Sequence, residues 1–207
     1  MTLKYNNNYD SSDSSILLLH VTGAHEQDDL DHEFQLIKKF SGRDDFQLMS
    51  VAVNDWNQDL APWSAPPVFG AEPFGDGAGQ TLQRILEIPM PEKVLLGGYS
   101  LAGLFALWAS YQTERFAGVA AVSPSVWYPG WLDYVKEHSC ESEKVYLSLG
   151  RKEEKTRNKV MAQVGEAIRT QAALLEDRCV LEWNDGNHFF EPDVRTAKGF
   201  AWLLRDL

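Results

Sequence analysis

Short, continuous apolar runs separated by amphipathic stretches of helix length constrain this chain more than any other feature. Ile16–Val21 (I-L-L-L-H-V) is apolar at consecutive rather than alternate positions, the pattern of a strand buried on both faces. Phe46–Val53, Val94–Gly98, Phe116–Val122, Val145–Leu149 and Val180–Trp183 read the same way. Between them, helical spacing predicts helices over Asp28–Phe40, Gln80–Leu86, Leu101–Tyr111, Thr156–Leu175 and Asp193–Leu204, with a short one near Trp131–His138. Strands alternating with helices imply βαβ crossovers, hence a mostly parallel sheet with helices on both faces. With no internal repeat or linker, residues 1–207 are expected to form one α/β domain, with 1–14 a flexible or edge segment. Ligands of such sheets bind outside the carboxyl ends of the strands, so the informative residues should lie just after strands.

Charge and composition narrow the function classes. Thirty acidic residues against nineteen basic ones give a net charge of −11. Such a field repels phosphate backbones and anionic headgroups, so neither nucleic acid nor a membrane surface is expected as a partner. The longest purely aliphatic run, Ile16–Leu19, is far short of the roughly 20 residues of a membrane span. Met1–Ser15 is polar and carries no apolar core of a secretory signal. Cys140 and Cys179 form no metal or redox spacing and read as free thiols of a cytoplasmic protein. His20, His25 and His32 do not match usual zinc spacing, so neither metal nor cofactor is expected.

The sharpest local signal is Leu95-Leu96-Gly97-Gly98-Tyr99-Ser100-Leu101-Ala102-Gly103. A buried strand runs into Gly98-x-Ser100-x-Ala102 and an apolar helix begins at once, the context of a nucleophile elbow. The serine of that turn is strained, and the residues two positions to either side must be small. Gly98 and Ala102 meet the condition. The turn lifts the hydroxyl to a helix N-terminus, where free N–H groups favour an oxyanion. Read blandly, the same residues are a Gly-Ser turn that caps a helix; the strand before and the helix after favour the elbow.

His188 lies in Asn184-Asp185-Gly186-Asn187-His188-Phe189-Phe190, a loop after the last strand, where a general base can face a serine presented from the middle of the sheet. An acid is sought after the strand ending at Gly150, where Arg151-Lys152-Glu153-Glu154-Lys155 follows. Either Glu153 or Glu154 fits the order nucleophile, acid, base, and Asp185 is weaker by that order. Asn54–Gly79 is rich in Pro, Gly and aromatics without a period; it reads as an ordered loop over the carboxyl edge of the sheet.

Taken together, these residues resemble the α/β-hydrolase putative-esterase group, which includes esterase D-like proteins, feruloyl esterase domains and ferri-siderophore esterases. The elbow G-G-Y-S-L-A-G carries most of the likeness. Ser123-Pro124-Ser125-Val126-Trp127 is similar to the group's Ser-x-Ser-x-Trp stretch, and Gly186-Asn187-His188-Phe189 resembles its histidine loop. The likeness in layout runs from about Ser15 to the C-terminus. It implies a three-layer α/β-hydrolase fold without a large cap domain. It also implies a serine hydrolase that cleaves a small-molecule carboxylic ester through an acyl-enzyme on Ser100, with His188 as base. The related pattern places the acid three residues after a strand-ending glycine, which selects Glu153, with Glu154 as the alternative. Leu101 would supply one oxyanion donor. Val21 stands where many relatives have glycine, so the second donor falls to Thr22 or, next, Gly23. Trp56, Trp63 and Trp127 are expected to border substrate, unless these rings only seal the domain. An acyltransferase with the same triad and a non-catalytic binding module remain alternatives, and oligomeric state is not read from the sequence.

Overall fold

In the computed structural model, residues 1–5, 14–23 and 30–207 are described. Seven strands form one sheet: β1 (Thr2–Tyr5), β2 (Ile16–Gly23), β3 (Gln47–Val53), β4 (Lys93–Tyr99), β5 (Gly118–Val122), β6 (Lys144–Gly150) and β7 (Cys179–Asn184), in the order β1-β3-β2-β4-β5-β6-β7. All neighbours are parallel except β1, which pairs antiparallel with β3 at the edge. The helices are α1 (Leu30–Ser41), α2 (Trp56–Asp59), α3 (Ala78–Leu86), α4 (Leu101–Ala109), α5 (Trp131–Glu137), α6 (Val164–Leu175) and α7 (Pro192–Leu203).

Burial follows from the strand pattern. Along β2 successive side chains alternate between two apolar clusters. Leu17, Leu19 and Val21 join α4 on one face. Ile16 and Leu18 join Phe34 and Ile37 of α1 and Phe200 of α7 on the other. Having two faces to fill, the central strands need apolar residues at nearly every position. Helix α4 is buried at all nine of its residues, which explains a composition without a polar face. The result is three layers, with the ends of β4, β5 and β6 meeting at the carboxyl edge.

Several boundaries differ from the sequence expectations, each for a local reason. Thr2–Tyr5 of the 1–14 segment is an edge strand, with Leu3 opposite Val51, whereas residues 6–13 lie outside the described residues. The start of the Asp28–Phe40 helix and His25 also lie outside them. The long helix expected from Thr156 begins only at Val164. Before it, Asn158 turns its side chain back on the chain, accepting from the Val160 and Met161 N–H groups at 3.0 and 3.2 Å. That local bonding competes with helix, and a 3-10 turn over Met161–Gln163 results.

The aperiodic Asn54–Gly79 stretch contains α2, capped by the Asp55 side chain on the Gln58 N–H at 3.0 Å, and a bridge between Ala65 and Phe74. Trp63 fastens it. The Trp63 indole donates to the Pro129 carbonyl at 2.8 Å, and the Tyr128 hydroxyl donates to the Trp63 carbonyl at 2.7 Å.

Candidate active site

The chain reverses from β4 into α4 at Ser100, whose φ of 59° and ψ of −120° are rare for a residue with a side chain. The tight return brings backbone against backbone. A Cβ on Gly98 would stand 2.6 Å from the Ala102 carbonyl carbon, so glycine is required there, and a larger residue at 102 would add to the crowding. The turn is held from outside. Ser100 donates its N–H to the Val122 carbonyl at 3.0 Å, and the Ser100 carbonyl accepts from the Ser125 N–H at 3.0 Å. A strained conformation of this kind persists only where its surroundings fix it.

His188 reaches this serine from the loop after β7. The imidazole Nε2 lies 3.0 Å from Ser100 Oγ, and Nδ1 lies 2.7 Å from Glu153 Oε2. An ionised carboxylate can only accept, so the ring proton resides on Nδ1 and Nε2 is left to accept from the serine hydroxyl. Glu153 opens a 3-10 turn directly after β6 and is 8 % exposed. The Gly150 N–H and the Ser123 hydroxyl both donate to Glu153 Oε1 at 2.7 Å. A Cβ on Gly150 would sit 2.9 Å from that same oxygen, so a glycine at the strand end makes room for the carboxylate. Burial acts to raise the Glu153 carboxyl; the hydrogen bond and charge of His188, with the Ser123 and Gly150 donors, outweigh it and hold the group below the ordinary carboxylate value.

The neighbouring glutamate goes elsewhere. Glu154 Oε2 pairs with Arg169 on α6 at 3.1 Å, and Asp185 is an exposed loop residue. Leu101 is the first residue of α4, so its N–H is among the donors that have no intrahelical acceptor. Thr22 is fully buried, and its hydroxyl lies 2.9 Å from Ser50 Oγ. With Val21 opposite Gly98, Thr22 and Gly23 stand at the level where β4 enters the elbow.

A cavity of about 460 Å³ opens beside His188. Trp127, Met161, Val164 and Phe189 give it apolar walls, and Lys152 and Lys155 stand among its lining residues. Of the three tryptophans expected at substrate, only Trp127 lines it. Trp63 is instead packed among Tyr128, Trp131 and Tyr134, with ring centroids 5.3–6.4 Å apart. Trp56 is partly buried against the larger apolar core. Trp131 itself is fully buried, its indole donating to Gln171 at 3.0 Å. These aromatics seat the 54–79 segment and seal the layer below it.

Sequence reasoning missed Arg195, which is 2 % exposed and bonded to Glu153 Oε1 at 2.9 Å. No motif marks it. The one available signal was an arginine on the first turn of a helix that the hydrophobic pattern places against the sheet.

Neither a family model nor a curated protein matches the chain. Solved structures do. An IroE-like serine hydrolase from Shewanella oneidensis superposes with a TM-score of 0.73 at 15 % identity, over 99 % of this chain and 75 % of that one. The siderophore hydrolase EstA from Aspergillus nidulans gives 0.69 at 18 % identity, over 97 % and 88 %. The enterobactin esterase FES from Shigella flexneri gives 0.63 at 16 % identity; 97 % of this chain is covered but only 54 % of that esterase, so the chain spans about half its length. Identities this low establish a shared fold: the chain has the three-layer α/β-hydrolase architecture of these serine hydrolases.

Proposed function

We propose that this protein is a serine esterase acting on a small-molecule carboxylic ester. The observation that carries the reading is the continuous chain Ser100 Oγ–His188 Nε2 at 3.0 Å and His188 Nδ1–Glu153 Oε2 at 2.7 Å, built on a strained elbow. Ser100 Oγ attacks the ester carbonyl carbon while its proton passes to His188 Nε2. The tetrahedral oxyanion is held by the Leu101 N–H and by an N–H from Thr22 or Gly23; one such donor is worth about 2.7–4 kcal/mol of barrier. Collapse breaks the C–O bond, Nε2 hands its proton to the leaving alkoxide, and the alcohol departs. Water then attacks the acyl-Ser100, again losing a proton to Nε2. The carboxylic acid leaves as that proton returns to Oγ. Throughout, Glu153 holds the imidazole tautomer and stabilises the imidazolium. Two free thiols, Cys140 and Cys179, support a reducing, cytoplasmic setting.

Fluorophosphonate labelling followed by intact-mass measurement tests the reading. Wild type should gain one adduct and Ser100→Ala none; equal labelling of both would remove Ser100 as nucleophile. A p-nitrophenyl ester panel run with and without an added alcohol then separates hydrolysis from acyl transfer.

A further inference from the structure

Arg195 stands behind the proposed triad, bonded to residues of the cavity wall but not itself among those that line it. Its Nη2 donates to Glu153 Oε1 at 2.9 Å and also to Ser123 Oγ. Its Nη1 donates to Tyr99 Oη at 2.8 Å and lies 3.4 Å from the Asn187 carbonyl. Tyr99 Oη in turn donates to the His188 carbonyl at 2.6 Å. One guanidinium on α7 thus ties the ends of β4, β5 and β6 to the loop that carries the histidine. Resting on the esterase reading, we propose that Arg195 is a positioning residue: through Glu153 and Tyr99 it holds the His188 imidazole in line with Ser100 and balances the carboxylate charge behind it.

Geometry supplies the first half of the argument. Glu153 Oε1 accepts from Ser123, Gly150 and Arg195, so the carboxylate cannot rotate and Oε2 is reserved for His188. Arginine's rigid fork suits this better than a lysine's point charge. Tyr99 completes the clamp. Burial pushes its hydroxyl up to about 12, so it stays a donor over the range in which an imidazole titrates.

Charge supplies the second half. A base must be neutral in the resting enzyme and cationic in the transition state. A buried carboxylate with no counter-charge would favour imidazolium already at rest and so remove the base. With Arg195 opposite it, the resting Glu153–Arg195 pair is neutral. The other charged groups facing His188, Lys152 and Lys155, are exposed on the cavity wall and screened by water.

The rate of fluorophosphonate labelling at Ser100, measured against pH, reads the protonation of the base without any substrate. In Arg195→Met the acid limb should move upward by about one pH unit or more, because the Glu153 carboxylate in contact with the imidazole is then an uncompensated opposite charge. Arg195→Lys keeps the charge: its limb should stay in place while the plateau rate falls about tenfold. Should Arg195→Met fail to fold, Arg195→Gln, which retains an N–H donor without charge, carries the same expected displacement. Folded neutral variants whose limb coincides with wild type would overturn the proposal. So would a lysine variant with the full wild-type rate. If wild type itself does not label at Ser100, the esterase reading falls and this proposal with it.

Discussion

Among the described residues, two histidines meet buried glutamates through the same Nδ1–Oε2 contact, and the surroundings of the two pairs differ. His20 Nδ1 meets Glu33 Oε2 at 2.9 Å between β2 and α1; His188 Nδ1 meets Glu153 Oε2 at 2.7 Å between the β7–α7 loop and the end of β6. Glu33 and Glu153 are 5 % and 8 % exposed. Around Glu153 the second oxygen is saturated by three donors, one of them a cation, and the far side of the imidazole faces a serine in a strained turn. Around Glu33 the second oxygen has no hydrogen-bond partner among the described residues, and the His20 ring meets Phe200 edge-on at 6.1 Å. One pair joins a helix to a sheet. The other is anchored through its carboxylate by three donors and faces the Ser100 hydroxyl. A histidine–carboxylate contact is therefore a poor sign of catalysis by itself; what completes the carboxylate and what faces the other ring nitrogen carry more information.

The comparison is broken most directly by removing each histidine. His188→Ala should lower kcat on p-nitrophenyl acetate by about four to six orders of magnitude, as loss of a triad base does, with little change in thermal stability. His20→Ala should leave kcat within about threefold and lower the unfolding free energy by about 3 kcal/mol, because it strands a buried carboxylate. Activity lost in the second variant while its fold and stability are retained would erase the distinction.

The two adjacent glutamates sharpen it further. Glu153→Gln should reduce kcat by about two to four orders of magnitude, since an amide no longer fixes the imidazole tautomer. Glu154→Gln, losing a half-exposed pair with Arg169, should change it less than twofold. Stability carries its own signature. Because the Glu153 carboxyl is held below its ordinary value in the folded state, the unfolded chain binds that proton more readily. Its contribution is complete above the unfolded carboxylate range of about 4.3 and is lost as pH falls through the lower folded value. Denaturant unfolding from pH 6 to pH 3 should therefore steepen in wild type relative to Glu153→Gln.

The smallest expected effect lies on the open side of His188. Trp127→Ala should raise KM about tenfold for bulky acyl esters and about twofold for acetyl esters, consistent with loss of one apolar wall. A uniform fall in kcat across acyl sizes would point to repacking with Phe69 and Phe74, whose rings lie 6.1 Å from it.

The sequence exposes what is local and hides what is brought from afar. Ser100, Glu153 and His188 each follow a strand closely, in turns whose glycines at 98, 150 and 186 mark abrupt changes of direction, so each could be singled out from its neighbours. Continuous apolar runs likewise reveal the parallel strands. The edge strand β1 alternates Thr2 and Lys4 with Leu3 and Tyr5, but four residues are too few for that period to stand out in a polar N-terminal segment, and β3 supplies its pairing. Asn158 stops the helix that apolar spacing would start at Thr156, an effect visible only once its side chain is seen on the backbone. Trp63 carries the same aromatic signal as Trp127, and only packing assigns one to a cluster and the other to a cavity. Arg195 has its partners at the ends of three strands and in the loop just before its own helix, and composition places a charged residue on the surface by default.

The position of that arginine also bears on the order in which the parts of the proposed site occur along the chain. The elements that hold Ser100, namely β4, α4 and β5, all lie in the first two-thirds of the chain. Its base arrives 88 residues later, and the guanidinium behind the acid arrives only with α7. On the proposed mechanism, a chain whose α7 has not docked would hold a serine in its elbow with no Arg195 behind Glu153 to position the imidazole.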